Sequence, residues 1–297
     1  MPRYLLDDDR VELRGDRVLF TRRARGTPGT AHGGSIGAVY LGLVPREGEA
    51  VEAFEVVFKA KALVETWTRL QIDADDRAKA TFWQDNVLLS EGRLRLVPIS
   101  ATAQPCVSPW QRGRACEEAL RSKLPTGTAV SVPDFKVARA ITPERLAAGY
   151  SHFEFHNKPR MRFQEAVLRA DMAAETATTE AVLYVSPKAG SDKAGSDRVS
   201  EGALFTALDE VMGATVNMVF AQPLVTGSLQ IEFPVPVCFE SADASAALLC
   251  ETSVRRASPG SRRVLVDSSL YALGPNGERD VEVTRGTATF VLLEGKL

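Results

Sequence analysis

The chain has 297 residues, of which 44% are hydrophobic and 25% are charged, and its net charge is −2. This length predicts about two domains of ordinary size, and the composition is typical of a globular protein that buries a sizeable core. Because the charge is nearly balanced, there is no basic field to recruit nucleic acid or an anionic membrane, and we expect neither as a partner.

The cysteines give a first indication of the redox environment. The chain has four of them, Cys106, Cys116, Cys238 and Cys250, and they lie far apart. This spacing favours reduced thiols over a disulfide framework or a zinc site. The first residues lack the apolar core of a signal peptide, and no apolar run reaches membrane-spanning length. We therefore expect a cytoplasmic protein.

The first hundred residues predict a strand, a buried helix and then several strands. The helix, Ser35 to Val44, follows a turn rich in Gly and Pro and is apolar on nearly every side, which is typical of a helix buried all round. The strand segments are rich in β-branched and aromatic residues. They are Val18 to Phe20, Val51 to Val64, Thr68 to Ile72, Ala80 to Leu89 and Arg93 to Pro98. We interpret residues 1–100 as an N-terminal domain.

The middle of the chain, residues 101–179, is interpreted as a connector with short helices. Helical pieces are predicted near Glu117, from Thr142 to Ala148, where a Thr cap is followed by Pro, and from Phe163 to Ala174. The His152 to His156 segment alternates as a strand does, which would place both of its histidines on one face.

Residues 180–297 repeat the order of the first domain and are interpreted as a C-terminal domain. A strand, a polar loop and a long apolar helix are followed by further strands, and Pro275-Asn276-Gly277 marks a turn between the last two. The segments are Ala181 to Val185, the helix Gly202 to Phe220, Leu224 to Phe233, Ala246 to Val254, Arg263 to Leu273 and Gly286 to Leu293. A buried helix followed by antiparallel strands, occurring twice, indicates internal duplication.

The segment before the first helix, Gly29-Thr30-Ala31-His32-Gly33-Gly34, resembles the hotdog-fold acyl-CoA thioesterases of the phenylacetate-pathway and 4-hydroxybenzoyl-CoA types. Their pattern is Gly-Thr-x-His-Gly-Gly before the central helix, with an Asp nine positions after the His. The second half is similar to that family in its Leu208 to Gly213 run and in a Phe-x-x-Pro segment from Phe233 to Pro236. The resemblance implies an α+β double hotdog, in which two antiparallel sheets each wrap a central helix and form an intramolecular pseudo-dimer.

The two copies keep different parts of that motif. The first has His32 but Leu41 nine positions later, whereas the second has Asp209 but Ser200 nine positions earlier. In the family, the site spans a dimer interface, with the His-Gly-Gly turn from one subunit and the Asp from the other. The resemblance therefore implies one composite site, made by the His32 to Gly34 turn and Asp209, and an inactive mirror site.

The resemblance also implies a role for each residue of that site. The backbone N–H groups of Gly33 and Gly34, at a helix N-terminus, would polarise a thioester carbonyl and hold its oxyanion. Asp209 would act as general base on water or as a carboxylate nucleophile. Thr226 falls where the family carries a Ser or Thr that helps to hold the water, and His32 would orient the carbonyl or the turn.

Each of these residues also has a purely structural interpretation. His32 could simply cap its helix, Thr226 could be an ordinary strand residue, and Asp209 could be a structural carboxylate with a partner that offsets its burial. The family often has an Asn six positions before the His, where this chain has Gly26. This departure leaves the rate and type of reaction open.

Arginines surround a turn in the second copy, and they are Arg255, Arg256, Arg262 and Arg263. The resemblance implies that such residues bind the phosphates of coenzyme A, for which arginine is well suited. The equivalent turn of the first copy, Asp73 to Arg77, is acidic, which agrees with a single ligand site. A solvated charged hairpin is the alternative. Arg22, Arg23 and Arg25 are further phosphate-binding candidates.

We expect an acyl-CoA or acyl-carrier-protein thioester hydrolase with a single site between the two domains. No metal is expected, although His152 and His156 share a face, and no cofactor is expected, because the coenzyme A moiety belongs to the substrate. The pseudo-dimers could assemble further into a homo-oligomer. Two alternatives remain: a non-catalytic acyl-thioester binding protein with eroded sites, and a hotdog hydratase or dehydratase.

Overall fold

The computed structural model describes most of the chain. The described residues are 10–24, 29–44, 48–98, 110–122, 129–132, 150–157, 161–171, 174–185, 198–220, 222–239 and 245–294. Side chains are not described between 129 and 173. No helix within these ranges is both long enough and apolar enough to cross a membrane.

Among its described residues, the N-terminal half contains one buried helix and six strands. Two short strands and a single 3-10 turn (Arg22–Ala24) precede the helix, and the remaining strands follow it. The elements are β1 (Val11–Arg14), β2 (Arg17–Phe20), α1 (Gly33–Leu43), β3 (Glu49–Phe58), β4 (Trp67–Ile72), β5 (Lys79–Gln84) and β6 (Val87–Pro98). Residues 34 to 41 of α1 are all buried, as the apolar sequence of this helix predicts.

The rest of the chain contains two helices and eight strands among the described residues. The elements are α2 (Trp110–Ser122), β7 (Ala129–Val132), β8 (Tyr150–Asn157), β9 (Met161–Asp171), β10 (Thr176–Val185), α3 (Glu201–Phe220), β11 (Leu224–Glu232), β12 (Ala246–Arg256), β13 (Arg263–Leu273) and β14 (Arg279–Leu292). Of these, α3 is the long helix that the apolar pattern predicts, and it begins directly after Ser200.

All the strands of the described residues belong to one sheet. Its order is β1-β2-β4-β5-β6-β3-β11-β14-β13-β12-β10-β9-β8-β7, and every neighbouring pair is antiparallel except the parallel pair β7 and β8. The order β2-β4-β5-β6-β3 around α1 matches the order β10-β12-β13-β14-β11 around α3. The two halves therefore share one topology, and they meet where β3 pairs with β11.

Helices α1 and α3 pack directly against each other inside the sheet. A Cβ atom placed on Gly37 of α1 would lie 2.0 Å from the ring of Phe205 on α3, so only glycine permits this close crossing. The Phe205 ring in turn lies 5.2 Å, between centroids, from Phe54 of β3. Tyr40 stacks edge-on against Phe82 and donates a hydrogen bond to the Ser90 carbonyl, so its buried hydroxyl is satisfied. A single apolar core therefore spans both halves.

Helix α2 covers the outer face of the C-terminal half. Its Cys116 and Leu120 pack against apolar residues of β10, β12 and β13, which include Val182 and Leu249. Tyr184 donates a hydrogen bond of 2.5 Å to Glu117, and burial beside that carboxylate raises the pKa of Tyr184. The helix that the sequence predicts near Glu117 is thus confirmed.

The structure corrects three expectations. The segment from Phe163 to Ala174 does not form a helix, because its residues up to Asp171 belong to strand β9, which pairs with β10. The single strand expected from Ala80 to Leu89 is two strands, joined by a turn in which Asp85 and Asn86 have φ of 47° and 65°. Both values suit the two-residue hairpins that match the twist of the strands.

The third correction concerns the cysteines. Cys238 is disulfide-bonded, whereas Cys116 and Cys250 are free and buried. The expectation of reduced thiols is therefore wrong for Cys238, because sequence spacing does not reveal which segments the fold brings together. Cys106 and the predicted helix from Thr142 to Ala148 lie outside the described residues.

Candidate active site

The N-terminus of α1 meets the side of α3 at a buried carboxylate. The Gly34 N–H donates to Asp209 Oδ2 at 2.6 Å, and the Thr226 hydroxyl donates to Asp209 Oδ1 at 3.0 Å. The side chain of Asp209 is only 1% exposed. Each carboxylate oxygen therefore has a hydrogen-bond donor, which offsets the cost of burying the charge in an otherwise apolar helix.

His32 occupies the N-cap position of α1, with φ −70° and ψ 136°. Its Nδ1 atom lies 3.1 Å from the Gly34 nitrogen and 3.4 Å from Asp209 Oδ2. We assign the Gly34 N–H to the carboxylate, because that contact is shorter and charge-assisted. His32 thus lies beside the carboxylate, with its side chain 18% exposed.

The two glycines of the turn have different surroundings. A Cβ atom on Gly33 would lie 3.0 Å from Thr226 Oγ1 and 3.1 Å from Asp209 Oδ2. A Cβ atom on Gly34 would lie 2.9 Å from the Cα atom of Thr206. Any other residue would push the turn away from α3 and β11. Glycine at both positions therefore allows the helix terminus to approach the carboxylate.

The other N–H group of the turn belongs to Gly33. Gly34 is engaged by Asp209, whereas the Gly33 N–H, at the first position of α1, has no hydrogen-bond partner within the described part of the chain. The first N–H groups of a helix have no partner within the helix, and they favour a negative atom. The Gly33 N–H therefore lies on the same turn as the Gly34 N–H that binds the carboxylate.

Thr206 was not found from the sequence. Its hydroxyl lies 3.0 Å from the Gly34 carbonyl oxygen and 2.9 Å from the Gly202 carbonyl oxygen, so its one proton is shared between the turn of one half and the helix of the other. One weak signal for it exists in the sequence, which is a hydroxyl in an apolar helix about one turn before Asp209. That hydroxyl could equally have bonded only to its own helix.

The corresponding residues of the mirror arrangement make no such site. Ser200 accepts a hydrogen bond of 3.2 Å from the Ala203 N–H and caps α3, and Leu41 is buried in the apolar core. A serine cap and a leucine supply neither a His-Gly-Gly turn nor a carboxylate at these positions.

The arginines of the β12–β13 turn divide between two faces. Arg256 and Arg262 line an open cavity of about 370 Å³, together with Gln222 and Glu294. Strand alternation turns Arg255 to the opposite face, where it lines a separate cavity of about 240 Å³. Arg263 is exposed, and it lies on the same face of the sheet as Arg255, because Arg255 pairs with Leu265 and Arg263 is two residues before Leu265 on β13. The four arginines therefore do not converge on one point.

Arg256 is the most enclosed of the four. Its guanidinium lies 4.7 Å from the centre of the Phe220 ring and 2.5 Å from Glu175 Oε2. Arg262 lies 3.5 Å from Glu294 and is largely exposed. In the first half, Asp73 accepts from the N–H groups of Asp75 and Asp76, and these bonds lower the pKa of Asp73.

The remaining candidates do not join this site. Arg22 is exposed, and its backbone N–H donates to Glu65, while Arg25 and Gly26 lie outside the described residues. The strand predicted from His152 to His156 is confirmed as part of β8, although its side chains are not described. Among the described side chains, no group of three His, Cys, Asp or Glu residues could hold a metal ion.

The strand order and the enclosed helices define the hotdog class of fold. Solved structures match the chain over nearly its whole length. A hot dog fold protein of unknown function from Alicyclobacillus acidocaldarius is 12% identical, with 96% of each chain covered and a TM-score of 0.52. A thioesterase II candidate from Thermobifida fusca is 13% identical, with 99% of this chain and 98% of that chain covered and a TM-score of 0.54.

A third similar structure is the acyl-CoA thioesterase II TesB2 of Mycobacterium marinum. It is 11% identical, with 97% of this chain and 96% of that chain covered and a TM-score of 0.51. No family model matches the chain, and no curated protein matches its sequence. At these identities the likeness shows the fold, and the chemistry has to be argued from the residues themselves.

Proposed function

We propose that this protein is a thioester hydrolase that acts on acyl-CoA or acyl-carrier-protein substrates. We also propose that it is a double hotdog, produced by tandem duplication, with one composite active site. The main support for this proposal is the 2.6 Å hydrogen bond between the Gly34 N–H of one half and the Asp209 carboxylate of the other. The names of the Thermobifida fusca and Mycobacterium marinum proteins support the same reaction class.

The proposed reaction uses Asp209 as a general base. A water held by Asp209 and Thr226 attacks the carbonyl carbon of the thioester and transfers a proton to the carboxylate. The carbonyl oxygen becomes an oxyanion, which the free N–H of Gly33 stabilises at the N-terminus of α1. The carbon–sulfur bond then breaks, and the proton passes from Asp209 to the departing thiolate. The products are a carboxylic acid and a free thiol.

Further side chains support this arrangement. Thr226 fixes the orientation of the carboxylate through its 3.0 Å hydrogen bond and leaves its own oxygen able to accept from the water. We assign His32 the role of holding the turn, because it caps α1 and lies beside the Gly34 N–H. Arg256 and Arg262 are the arginines we propose for phosphate binding, since they share one cavity.

The test is thiol release from a panel of acyl-CoA esters. Asp209→Asn keeps the shape of the side chain but removes the base, so we expect kcat to fall about a hundredfold or more. Ser200→Ala, at the matching position of the other half, is the control, and turnover should stay close to the wild-type value. Because Ser200 caps α3, thermal unfolding of both variants should be recorded beside activity. Full activity in Asp209→Asn would refute the proposal.

A further inference from the structure

The outer face of the sheet has a polar depression where the two halves meet. Its volume is about 240 Å³, and it is lined by Arg255 of β12 together with residues of β3, β11, β13 and β14. An even number of positions separates Arg255 from Leu249, which packs against α2, so the depression and α2 lie on the same face of the sheet. Helix α2 contributes no residue to the depression.

The strand register fixes the order of the polar side chains in this depression. Glu55 on β3 pairs with Gln230 on β11. Gln230 also pairs with Thr287 on β14, whose other partner is Asp267 on β13. Arg255 lies on β12, across from the residue two positions before Asp267. The polar side chains therefore form a row across five strands. We call this row, together with Ser228 and Thr289, the seam patch.

The charged groups of the seam patch are not paired with each other. Within the described part of the chain, Glu55, Asp267 and Arg255 form no ion pair. The next row on the same face differs, because Arg285 on β14 forms an ion pair with Glu232 on β11. The charged side chains of the seam patch can therefore bind a partner without first breaking an ion pair of their own.

The seam patch is self-complementary about strand β14. Glu55 lies two strands to one side of β14 and Arg255 lies two strands to the other side, about 10 Å away in each direction. Gln230 and Asp267 lie one strand to either side. A twofold axis along β14 would place Glu55 of one copy opposite Arg255 of a second copy. The same axis would place the Gln230 amide opposite Asp267, and each contact would occur twice.

The centre of the seam patch permits two sheets to approach closely. Ser228, Thr287 and Thr289 are small, and they form the floor of the depression. Packed sheets lie about 10 Å apart. Arg255 is displaced along its strand by two residues, or about 7 Å, which its long side chain can span. Five strands of about eight residues would bury about 1,200 Å² on the two copies together, which is within the range of specific interfaces.

We propose that the seam patch is the interface of a homodimer, in which Glu55 of each copy forms an ion pair with Arg255 of the other and Gln230 donates to Asp267. The partner is a second copy because the patch presents both signs of charge at positions that a twofold axis exchanges. A purely acidic or purely basic partner would satisfy only one sign. The interface lies outside the sheet, whereas Asp209 lies on a helix inside it, so this inference does not depend on the proposed reaction.

The first experiment measures the mass of the full chain by sedimentation equilibrium, from about 1 µM to about 100 µM. The wild type should reach the mass of a dimer and dissociate on dilution. In Arg255→Glu, acids face each other at both ends of the interface, so the dissociation constant of the dimer should rise about tenfold or more. Glu55→Arg brings two bases together at the same places and should have the same effect.

Mixing the two single variants tests the pairing itself. Each variant repels its own copy, but Glu55→Arg presents two bases to the two acids of Arg255→Glu, so the two variants should bind each other. An equimolar mixture should therefore recover the dimer mass at concentrations at which each variant alone is a monomer. The double variant Glu55→Arg with Arg255→Glu restores both pairs within one sequence, and it should dimerise as the wild type does.

Arg17→Glu is the matched control for the change of charge. Arg17 is an exposed arginine on β2, outside the seam patch, so its reversal should leave the dissociation constant at the wild-type value. Glu55 and Arg255 are exposed as well. Circular dichroism and thermal unfolding of every variant, recorded beside the mass, should match those of the wild type. If Arg255→Glu fails to fold, Arg255→Gln takes its place and should weaken the dimer by a smaller factor.

Three results would overturn the proposal. The first is a wild type that remains a monomer up to about 100 µM. The second is a dimer that neither single variant weakens, because the interface would then lie elsewhere on the molecule. The third is a dimer that both variants weaken but that their mixture does not restore, because Glu55 and Arg255 would then not face each other across the interface.

Discussion

At the scale of single residues, Asp209 shows how an apolar helix can carry a charge. Both carboxylate oxygens are bound by donors from other elements, Gly34 on α1 and Thr226 on β11. Neither donor lies close to Asp209 in the sequence, so the isolated helix would leave the carboxylate without these bonds. The charge is therefore tolerated only where the two halves meet, which ties the candidate site to the folded state of both.

Cys250 gives a prediction on pH dependence at this scale. The thiol is fully buried, with Thr252 and Ser268 as its polar neighbours, and burial raises its pKa from 9.0 to about 11. Because the unfolded chain loses this proton first, the contribution to stability is complete below about pH 9 and is lost as the pH rises to about 11. The shift corresponds to about 2–3 kcal/mol.

The measurement is the free energy of unfolding in denaturant at pH 8 and pH 10.5. The wild type should lose more stability than Cys250→Ala over this interval, since alanine has no proton to lose. The alanine variant will itself be less stable at both values, because it leaves a cavity. The test is therefore the change in unfolding free energy between the two pH values, compared between the wild type and Cys250→Ala. Equal changes in both proteins would contradict a raised pKa of Cys250.

At the scale of elements, the contact between α1 and α3 marks the relation between the halves. Gly37 lies five residues after the cap of α1, and Phe205 lies five residues after the cap of α3. These corresponding positions contact each other, as residues on a local twofold axis do. The side chains have diverged into glycine and phenylalanine, so a large ring from one half fills the space that the other half vacates.

Gly37→Ala tests how tightly this crossing is packed. Because the added Cβ atom would lie 2.0 Å from the Phe205 ring, the helices must separate or the ring must turn. We expect the free energy of unfolding to fall by about 1–3 kcal/mol, the usual cost of overpacking a core.

The control for this prediction is the double variant Gly37→Ala with Phe205→Leu. Removing the ring makes room for the new methyl group, so the double variant should lose less stability than the sum of the two single changes. Additive losses, measured by denaturant unfolding, would show that the two positions are not coupled.

At the scale of the whole molecule, the continuous sheet makes the halves one cooperative unit. Strand β3 pairs with β11 from Ala53 to Val57, and the core is shared through Phe54 and Phe205. Neither β3 nor β11 is an edge strand in this arrangement. Separating the halves would expose both backbones and the apolar surface of the helices.

We therefore expect one unfolding transition for both halves. Trp67 and Trp83 lie on β4 and β5 of the N-terminal half, whereas α3, in the C-terminal half, is the longest helix described. In a Trp110→Phe variant, tryptophan fluorescence reports only the first half, whereas circular dichroism at the helix band reports helices of both halves, of which α3 is the longest described. The two melting curves should coincide. Separate midpoints would show that the halves unfold independently.

Features that depend on neighbouring residues can be predicted from the amino-acid sequence. The bounds of α1 and α3 are predicted to within two residues, because an apolar helix between a cap and a turn is a local pattern. Pro275-Asn276-Gly277 forms the expected turn, with Gly277 at φ 80°. The family resemblance also points to the residues that meet at the candidate site, which are His32 to Gly34, Asp209 and Thr226.

Other features depend on contacts between segments that are distant in the sequence. Residues 163–171 form part of strand β9 because they pair with the edge of β10. No local pattern in these residues indicates that pairing. The bond at Cys238, the division of the arginines between two faces and the contact of Thr206 with Gly34 likewise depend on distant segments. Contact with the distant helix α3 also explains why the Gly34 N–H, and not the Gly33 N–H, binds the Asp209 carboxylate. A hydrogen bond across 175 residues is set by how the sheets close, which is a property of the packed core and not of its local sequence.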